Sequence, residues 1–314
     1  MSPSQEPDGV EVRGLGRSFG SVHAVRDVTF DARPGRVTGL VGPNGAGKTT
    51  LFLMLASLLA PDRGEIRIAG VDPMADPSAA RARIGWMPDA LGAWESLTAR
   101  ETLIVAGRLY DASKPAAAAR ADELLDDVGL SDLASAPARV LSRGQKQLLG
   151  LARALVHRPS VLLLDEPASG LDPAARIALR ELLRRLASEG AAVIVSSHVL
   201  SELEEMIDDA VFMAAGSTVG DGGAEPTRSR EWRLRIAGAG DGGSAPWRDA
   251  VAGILPAGSD VRVERRSLIA SFPDEMSAAR GLRALVDADI AVAEFAPAAG
   301  DLEHTFLGLK ENER

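Results

Sequence analysis

Between a compact β-prone run, Arg36–Val41, and an apolar helical stretch lies the octapeptide Gly42-Pro43-Asn44-Gly45-Ala46-Gly47-Lys48-Thr49. Three glycines, a proline and an asparagine in eight positions exclude a regular element and demand a loop joining strand to helix. The pattern G-x-x-x-x-G-K-[S/T] in that setting has a physical reading. Glycines let backbone N–H groups turn inward around an anion and remove Cβ atoms that would block it. A helix starting near Lys48 adds its positive N-terminal end. The chain has only four lysines (Lys48, Lys114, Lys146 and Lys310), so one placed here is informative. Gly42, Pro43, Asn44, Gly45, Ala46, Gly47, Lys48, Thr49 and Thr50 are therefore read as a phosphate cradle. Lys48 is expected to reach the β/γ-phosphates and the Thr49 hydroxyl to ligate Mg²⁺.

Short apolar runs alternate with helical spacing around this loop. Val10–Val12 and Ala24–Phe30 read as short strands, and Thr49–Leu59 as a buried helix stopped by Pro61 and Gly64. Glu65–Ala69 and Ile84–Met87 read as strands, and Ala99–Leu133 as an alanine-rich region with two helices around Lys114–Pro115. Gln145–Leu155 and Pro173–Ala187 are helical; Val161–Leu164 and Ala192–Ser196 are apolar strands. Such alternation predicts a parallel α/β sheet.

A chain of 314 residues has room for about two domains. Composition shifts at the glycine-rich stretch Gly216–Gly223, read as a linker, and a second glycine-rich loop follows at Gly238–Gly243. Beyond the linker the order is strand Trp232–Ile236, helix Trp247–Ile254, strands Val261–Glu264 and Ser267–Phe272, helix Glu275–Val286 and strand Ile290–Phe295. This β-α-β-β-α-β order predicts a ferredoxin-like unit. The expected domains are residues 8–222, with a helical subdomain at about 90–140, and residues 223–314. Arg228, Arg230, Arg233 and Arg235 form a basic cluster that fits either an anionic-lipid contact or a solvated strand edge.

Val161-Leu162-Leu163-Leu164 runs directly into Asp165 and Glu166. An acid buried at a strand end costs several kcal/mol unless a cation or hydrogen bonds compensate it. Beside a phosphate loop, Asp165 is placed to hold Mg²⁺ through water and Glu166 to accept a proton from attacking water. The remaining composition narrows the alternatives. A net charge of −9 supplies no global positive field for nucleic acid, and aromatic residues at 4% make a base-stacking groove a poor fit. The absence of cysteine excludes disulfides, thiolate metal sites and a cysteine nucleophile. The polar start and apolar runs far shorter than the roughly 20 residues of a bilayer span lead to the expectation of a reduced, cytoplasmic compartment.

These residues, taken in order, resemble an ATP-binding-cassette (ABC) ATPase from about Val10 to Gly220. Leu141-Ser142-Arg143-Gly144-Gln145 resembles the family's signature sequence, Ser169-Gly170-Leu171-Asp172 its D-loop, and Ser196-Ser197-His198 its switch histidine. Phe19 matches the aromatic that stacks on adenine. The resemblance implies an α/β fold: a P-loop NTPase cassette, with a RecA-like core and antiparallel β and α-helical subdomains, plus the small C-terminal α+β ferredoxin-like domain. It further implies a head-to-tail dimer of cassettes sandwiching two ATP molecules. Each site joins the phosphate loop of one subunit to Ser142, Gly144 and Gln145 of the other, with Asp172 linking the sites, Glu166 and Lys48 in catalysis, and His198 sensing the γ-phosphate. Asp89 stands where the family has its Q-loop glutamine and is expected to keep an oxygen for Mg²⁺, beside Thr49 and Asp165. Arg143 stands where the signature has glycine, and is expected to add a cation near the partner's nucleotide or the dimer seam.

The resemblance is to the stand-alone ATPases of type-2 exporters of the drug and antibiotic efflux kind, including the closing Asp301-Leu302-Glu303-His304-Thr305-Phe306-Leu307. It implies a separate membrane permease, received by a surface along Asp89–Leu103 with Trp94 and Leu97, and a place on the inner face of the plasma membrane. An importer subunit is the nearer alternative. A soluble cassette acting on DNA or ribosomes is the further one, disfavoured by the single cassette, the lack of heptads and the acidic charge.

Overall fold

The computed structural model describes residues 9–89, 96–197, 199–219, 230–237, 247–256, 259–264 and 267–298. It divides into two compact units at Val219/Gly220.

The first unit runs β1 (Val10–Phe19), β2 (Val22–Ala32), β3 (Val37–Val41), α1 (Lys48–Leu55), β4 (Arg63–Ile68), α2 (Pro77–Arg81), β5 (Ile84–Met87), α3 (Ala99–Leu109) and α4 (Lys114–Asp127). Two short 3-10 turns follow. Then come α5 (Arg143–Ala154), β6 (Val161–Leu164), α6 (Pro173–Ser188), β7 (Ala192–Ser196), α7 (Leu200–Glu204), β8 (Asp209–Ala214) and β9 (Ser217–Thr218). One nine-stranded sheet has the order β4-β1-β2-β9-β8-β3-β7-β6-β5. Strands β8, β3, β7, β6 and β5 are mutually parallel neighbours, whereas β4, β1 and β2 pair antiparallel. Every residue of β3, β6 and β7 is buried, as a parallel sheet covered on both faces requires.

Strands β5, β6 and β7 have the bounds their apolar runs predict. The first two strands are much longer than their patterns suggest, and β1 carries register shifts at Val12/Leu15, Leu15/Arg17 and Arg17/Ser18. Each bulge resets the two-residue alternation, so a strand of ten residues reads in sequence as a short one. The glycine-rich stretch expected to be a linker begins inside this unit. Gly216 turns the chain between β8 and β9, its carbonyl accepts the Arg26 N–H at 2.6 Å, and β9 lies between β2 and β8. Its glycine serves a tight turn.

The second unit comprises β10 (Arg230–Ile236), α8 (Arg248–Ile254), β11 (Val261–Glu264), β12 (Ser267–Phe272), α9 (Glu275–Asp287) and β13 (Val292–Pro297). Its sheet order, β11-β12-β10-β13 with all neighbours antiparallel, is the ferredoxin-like arrangement. Leu234, Ile236, Leu268, Ala270, Phe272 and Leu285 fill its core. Strand β10 is central, which corrects the reading of the arginine cluster as a strand edge. Arg233 and Arg235 alternate with buried Leu234 and Ile236; Arg235 pairs with Glu294 on β13, and Arg233 donates to the Ala298 carbonyl. Arg228 lies outside the described residues.

Candidate functional site

Parallel pairing brings the C-terminal ends of β3, β6 and β7 to one sheet edge, with Leu40 opposite Ser196 and Leu164 opposite Val195. Ligand sites in open α/β sheets lie at such edges. The loop 42–47 leaves β3 here and feeds α1. Gly47, at φ 97°, is the N-cap of α1; a Cβ on it would lie 2.3 Å from the Ala24 carbonyl oxygen of β2. Only glycine allows the loop to turn into the helix this close to the neighbouring strand. Asn44, Gly45 and Thr49 are exposed, and nothing lies within 4 Å of where a Gly45 Cβ would sit. The Lys48 ammonium folds back to donate to the carbonyls of Gly42 (2.6 Å) and Pro43 (3.2 Å). Burial lowers its pKa, opposed by the charges of Glu166 and Asp165. Lysine loop and carboxylates thus share one electrostatic site.

Asp165 is 5% exposed, and the Ser196 hydroxyl donates to its Oδ1 at 2.6 Å while accepting the Glu166 N–H at 3.1 Å. Burial pushes the Asp165 pKa up. The Ser196 bond opposes this, the charges of Glu166 and Asp89 add to it, and Lys48 counters them. Among the described residues no three acidic or histidine side chains converge on one point, but the buried Asp165 carboxyl, with the exposed Thr49 at the start of α1, supplies the hard oxygen chemistry that fits Mg²⁺ shared with phosphate oxygens. Glu166 has φ 54°, a left-handed conformation costing a non-glycine residue about 1–2 kcal/mol. Surrounding hydrogen bonds hold it there. Its carbonyl accepts from the Ser169 N–H at 3.1 Å and from Gln147 Nε2 at 2.7 Å.

Phe19 ends β1 opposite Val22, in the hairpin whose second strand abuts Gly47. Its ring is half exposed, and the Arg17 guanidinium carbon lies 5.0 Å from the ring centroid. Ser142 caps α5 with Gln145 in a reciprocal pair: the Gln145 N–H donates to Ser142 Oγ and the Ser142 N–H to Gln145 Oε1. Their hydrogen bonds thus close on each other. Asp172 caps α6, its Oδ1 accepting the Ala175 N–H at 2.9 Å. His198 and Trp94 lie outside the described residues. Arg143 donates to Ser169 Oγ at 2.9 Å within its own chain, a contact the sequence does not announce. Gln147 also escaped the sequence reading; its only signal is an amide placed where a helix face turns inward.

A separate cleft of about 320 Å³ opens between β5 and α3, among Leu58, Trp86, Leu109, Tyr110 and His157. Leu58 and Leu109 are 58% and 72% exposed. Tyr110 stacks flat on His157 at 3.8 Å, and the His157 Nε2–H faces the Ile84 carbonyl at 3.0 Å. Burial lowers the His157 pKa, and the Ile84 bond only partly compensates. The folded state therefore keeps this imidazole neutral while the unfolded chain protonates first. Its contribution to stability is full above about pH 6.5 and is lost as the pH falls toward the folded-state value. In thermal unfolding from pH 7 down to pH 5, His157→Phe is expected to flatten the decline seen in the wild type. Parallel declines would refute this assignment.

A glycine-lined phosphate loop, a strand-end acid pair and a capped helix carrying Ser142-Arg143-Gly144-Gln145 define a P-loop nucleotide hydrolase of the cassette kind. Residues 25–169 match the ABC transporter family model. The chain is 34% identical over 311 residues to the daunorubicin resistance ATP-binding protein DrrA3 of Streptomyces coeruleorubidus, covering 97% of this chain and 96% of that one. It is 31% identical to the daunorubicin/doxorubicin resistance ATP-binding protein DrrA of Streptomyces peucetius, covering 98% and 93%. Among solved structures it is similar to an ATP-binding subunit of an ABC transporter, with TM-score 0.63, 31% identity and coverage of 67% and 88%. The dimeric structure of a bacterial ABC transporter cassette shares the fold at TM-score 0.63 and 24% identity, covering 67% and 97%. The chain belongs to the ABC transporter ATP-binding family, and is an ABC-type ATPase.

Proposed function

We propose that this ATPase energises export of a small molecule through a separate membrane permease, working as a dimer of identical cassettes. The observation that carries the chemistry is Asp165, buried beside Glu166 and within the field of Lys48, at the strand edge where the phosphate loop emerges. In this reading the N–H groups of 42–50 and the Lys48 ammonium bind the triphosphate, and Phe19 stacks on adenine. Lys48 must leave the Gly42 and Pro43 carbonyls to do so, exchanging two neutral acceptors for charged oxygens. Thr49, Asp165 and Asp89 would hold Mg²⁺, which when bound neutralises charge on the phosphates. Glu166 orients and deprotonates the attacking water, His198 contacts the γ-phosphate, and Ser142, Gly144 and Gln145 of a second copy close the site with the N-terminus of α5. Asp172, fixed at the start of α6, lies at the seam.

Two comparisons support export. Both daunorubicin resistance proteins match across nearly the whole chain, the second unit included. No helix among the described residues is long and apolar enough to cross a membrane. In this reading the membrane path belongs to the permease chain, and the cleft beside Leu58, Leu109 and Tyr110 offers that chain a seat. Leu58→Glu places a charge at the exposed rim without disturbing the core. It is expected to reduce copurification with the permease at least about tenfold, as burying one unpaired charge would, while the free chain keeps its ATPase rate. ATP-driven uptake of daunorubicin into inverted membrane vesicles carrying both chains tests export. Retained copurification of the variant, or substrate moving the opposite way, contradicts the proposal.

A further inference from the structure

The left-handed turn at Glu166 is held from two sides. Within the sheet, Ser196 at the end of β7 accepts its N–H. From the other side, helix α5 reaches it through Gln147, 4% exposed, whose amide donates to the Glu166 carbonyl at 2.7 Å. The same helix touches this turn twice more. Arg143 Nη2 donates to Ser169 Oγ, and the Ser169 N–H itself bonds the Glu166 carbonyl. A Cβ on Gly144 would sit 2.9 Å from the Gly170 carbonyl oxygen, so the helix start lies directly against the turn. The first two turns of α5 and the segment Glu166–Gly170 are thus one hydrogen-bonded piece.

We infer that Gln147 is a positioning residue that ties the setting of Glu166 to α5, with Arg143 as a second latch. The inference rests on the reading above, in which Glu166 is the general base and the start of α5 meets nucleotide bound to a second copy. A helix engaged at its N-terminus by one ATP then adjusts the base that acts on the other. The Gln147 bond gives the coupling a route: Ser142 and Gly144, one turn of helix, the Gln147 amide, the Glu166 carbonyl. A base whose carbonyl is released can leave its strained conformation, and misplacement of a catalytic group by about 1 Å costs up to about a hundredfold in rate.

The test uses Gln147→Met, which preserves length and bulk but cannot donate. On the full chain with MgATP, kcat is expected to fall about tenfold, with KM for ATP within about twofold, and cooperativity in ATP is expected to weaken. A role in stability alone would lower the unfolding temperature without that split. Arg143→Ala, on the exposed side, provides a variant that leaves the core intact; combined with Gln147→Met its effect on kcat is expected to be non-additive, since both hold one turn. Wild-type kcat in Gln147→Met, or strict additivity, overturns the inference. Glu166→Gln measured in parallel separates the two ideas. If Glu166→Gln hydrolyses ATP normally, the assignment of the base falls. If it is inactive while Gln147→Met is fully active, only the coupling falls.

Discussion

Glu166→Gln is expected to bind MgATP with near wild-type affinity, hydrolyse it at least about a hundredfold more slowly, and accumulate as an ATP-bound dimer. Glutamine keeps the shape of the side chain but is a far weaker proton acceptor, and a positioned general base contributes about 10²–10⁴-fold to a rate. The substitution leaves intact what holds the residue, because Ser196, Ser169 and Gln147 all engage its backbone. It also removes one negative neighbour from Asp165, whose pKa is raised in part by Glu166. Cation binding should therefore survive, with Asp165 easier to ionise. Size-exclusion chromatography with saturating MgATP reads the dimer, and phosphate release reads the rate. A variant that stays monomeric under those conditions contradicts the sandwich, and one that turns over normally contradicts the base.

Lys48→Ala should weaken ATP binding by about a hundredfold and abolish measurable turnover. The ammonium supplies charge-assisted hydrogen bonds worth about 1.5–3 kcal/mol each to phosphate oxygens, and alanine supplies none. A second effect acts in the same direction. Lys48 opposes the rise in the Asp165 pKa, so its removal leaves a buried carboxyl among acidic neighbours with less reason to ionise and hold a cation. Lys48 is also a half-desolvated cation in the free protein, so the fold is expected to tolerate its loss, with an unchanged or slightly higher unfolding temperature. Titration with a fluorescent ATP analogue distinguishes this from global damage. Undiminished binding in a folded variant would refute the phosphate-loop assignment.

The parts of this protein that are legible in its sequence are those whose chemistry is local. The octapeptide 42–49 dictates a loop between strand and helix because its glycines and lysine have no other economical use together. The runs Val161–Leu164 and Ala192–Ser196 read as buried strands because both their faces are covered. Asp165 and Glu166 stand out because acids directly after such a run must be compensated. The β-α-β-β-α-β order of the second unit is equally plain, since each element there has its own period and clear breaks. Strands β1 and β2 are less legible because bulges break their alternation, and β8 and β9 because a glycine-rich turn resembles a linker.

What the sequence determined by itself was thus the class of fold and the residue types that can handle phosphate, because backbone conformation and hydrophobic period are set over a few neighbours. Tertiary structure alone decided which distant groups hold them in place. Ser196 lies 31 positions from Asp165 and 30 from the Glu166 N–H it accepts, and Gln147 lies 19 from Glu166. Only parallel pairing of β6 with β7, and the packing of α5 beside them, brings these atoms within 3.1 Å. Hydrogen bonding is short-ranged and directional, so such partners are chosen by the folded geometry and leave no spacing in the chain to be read.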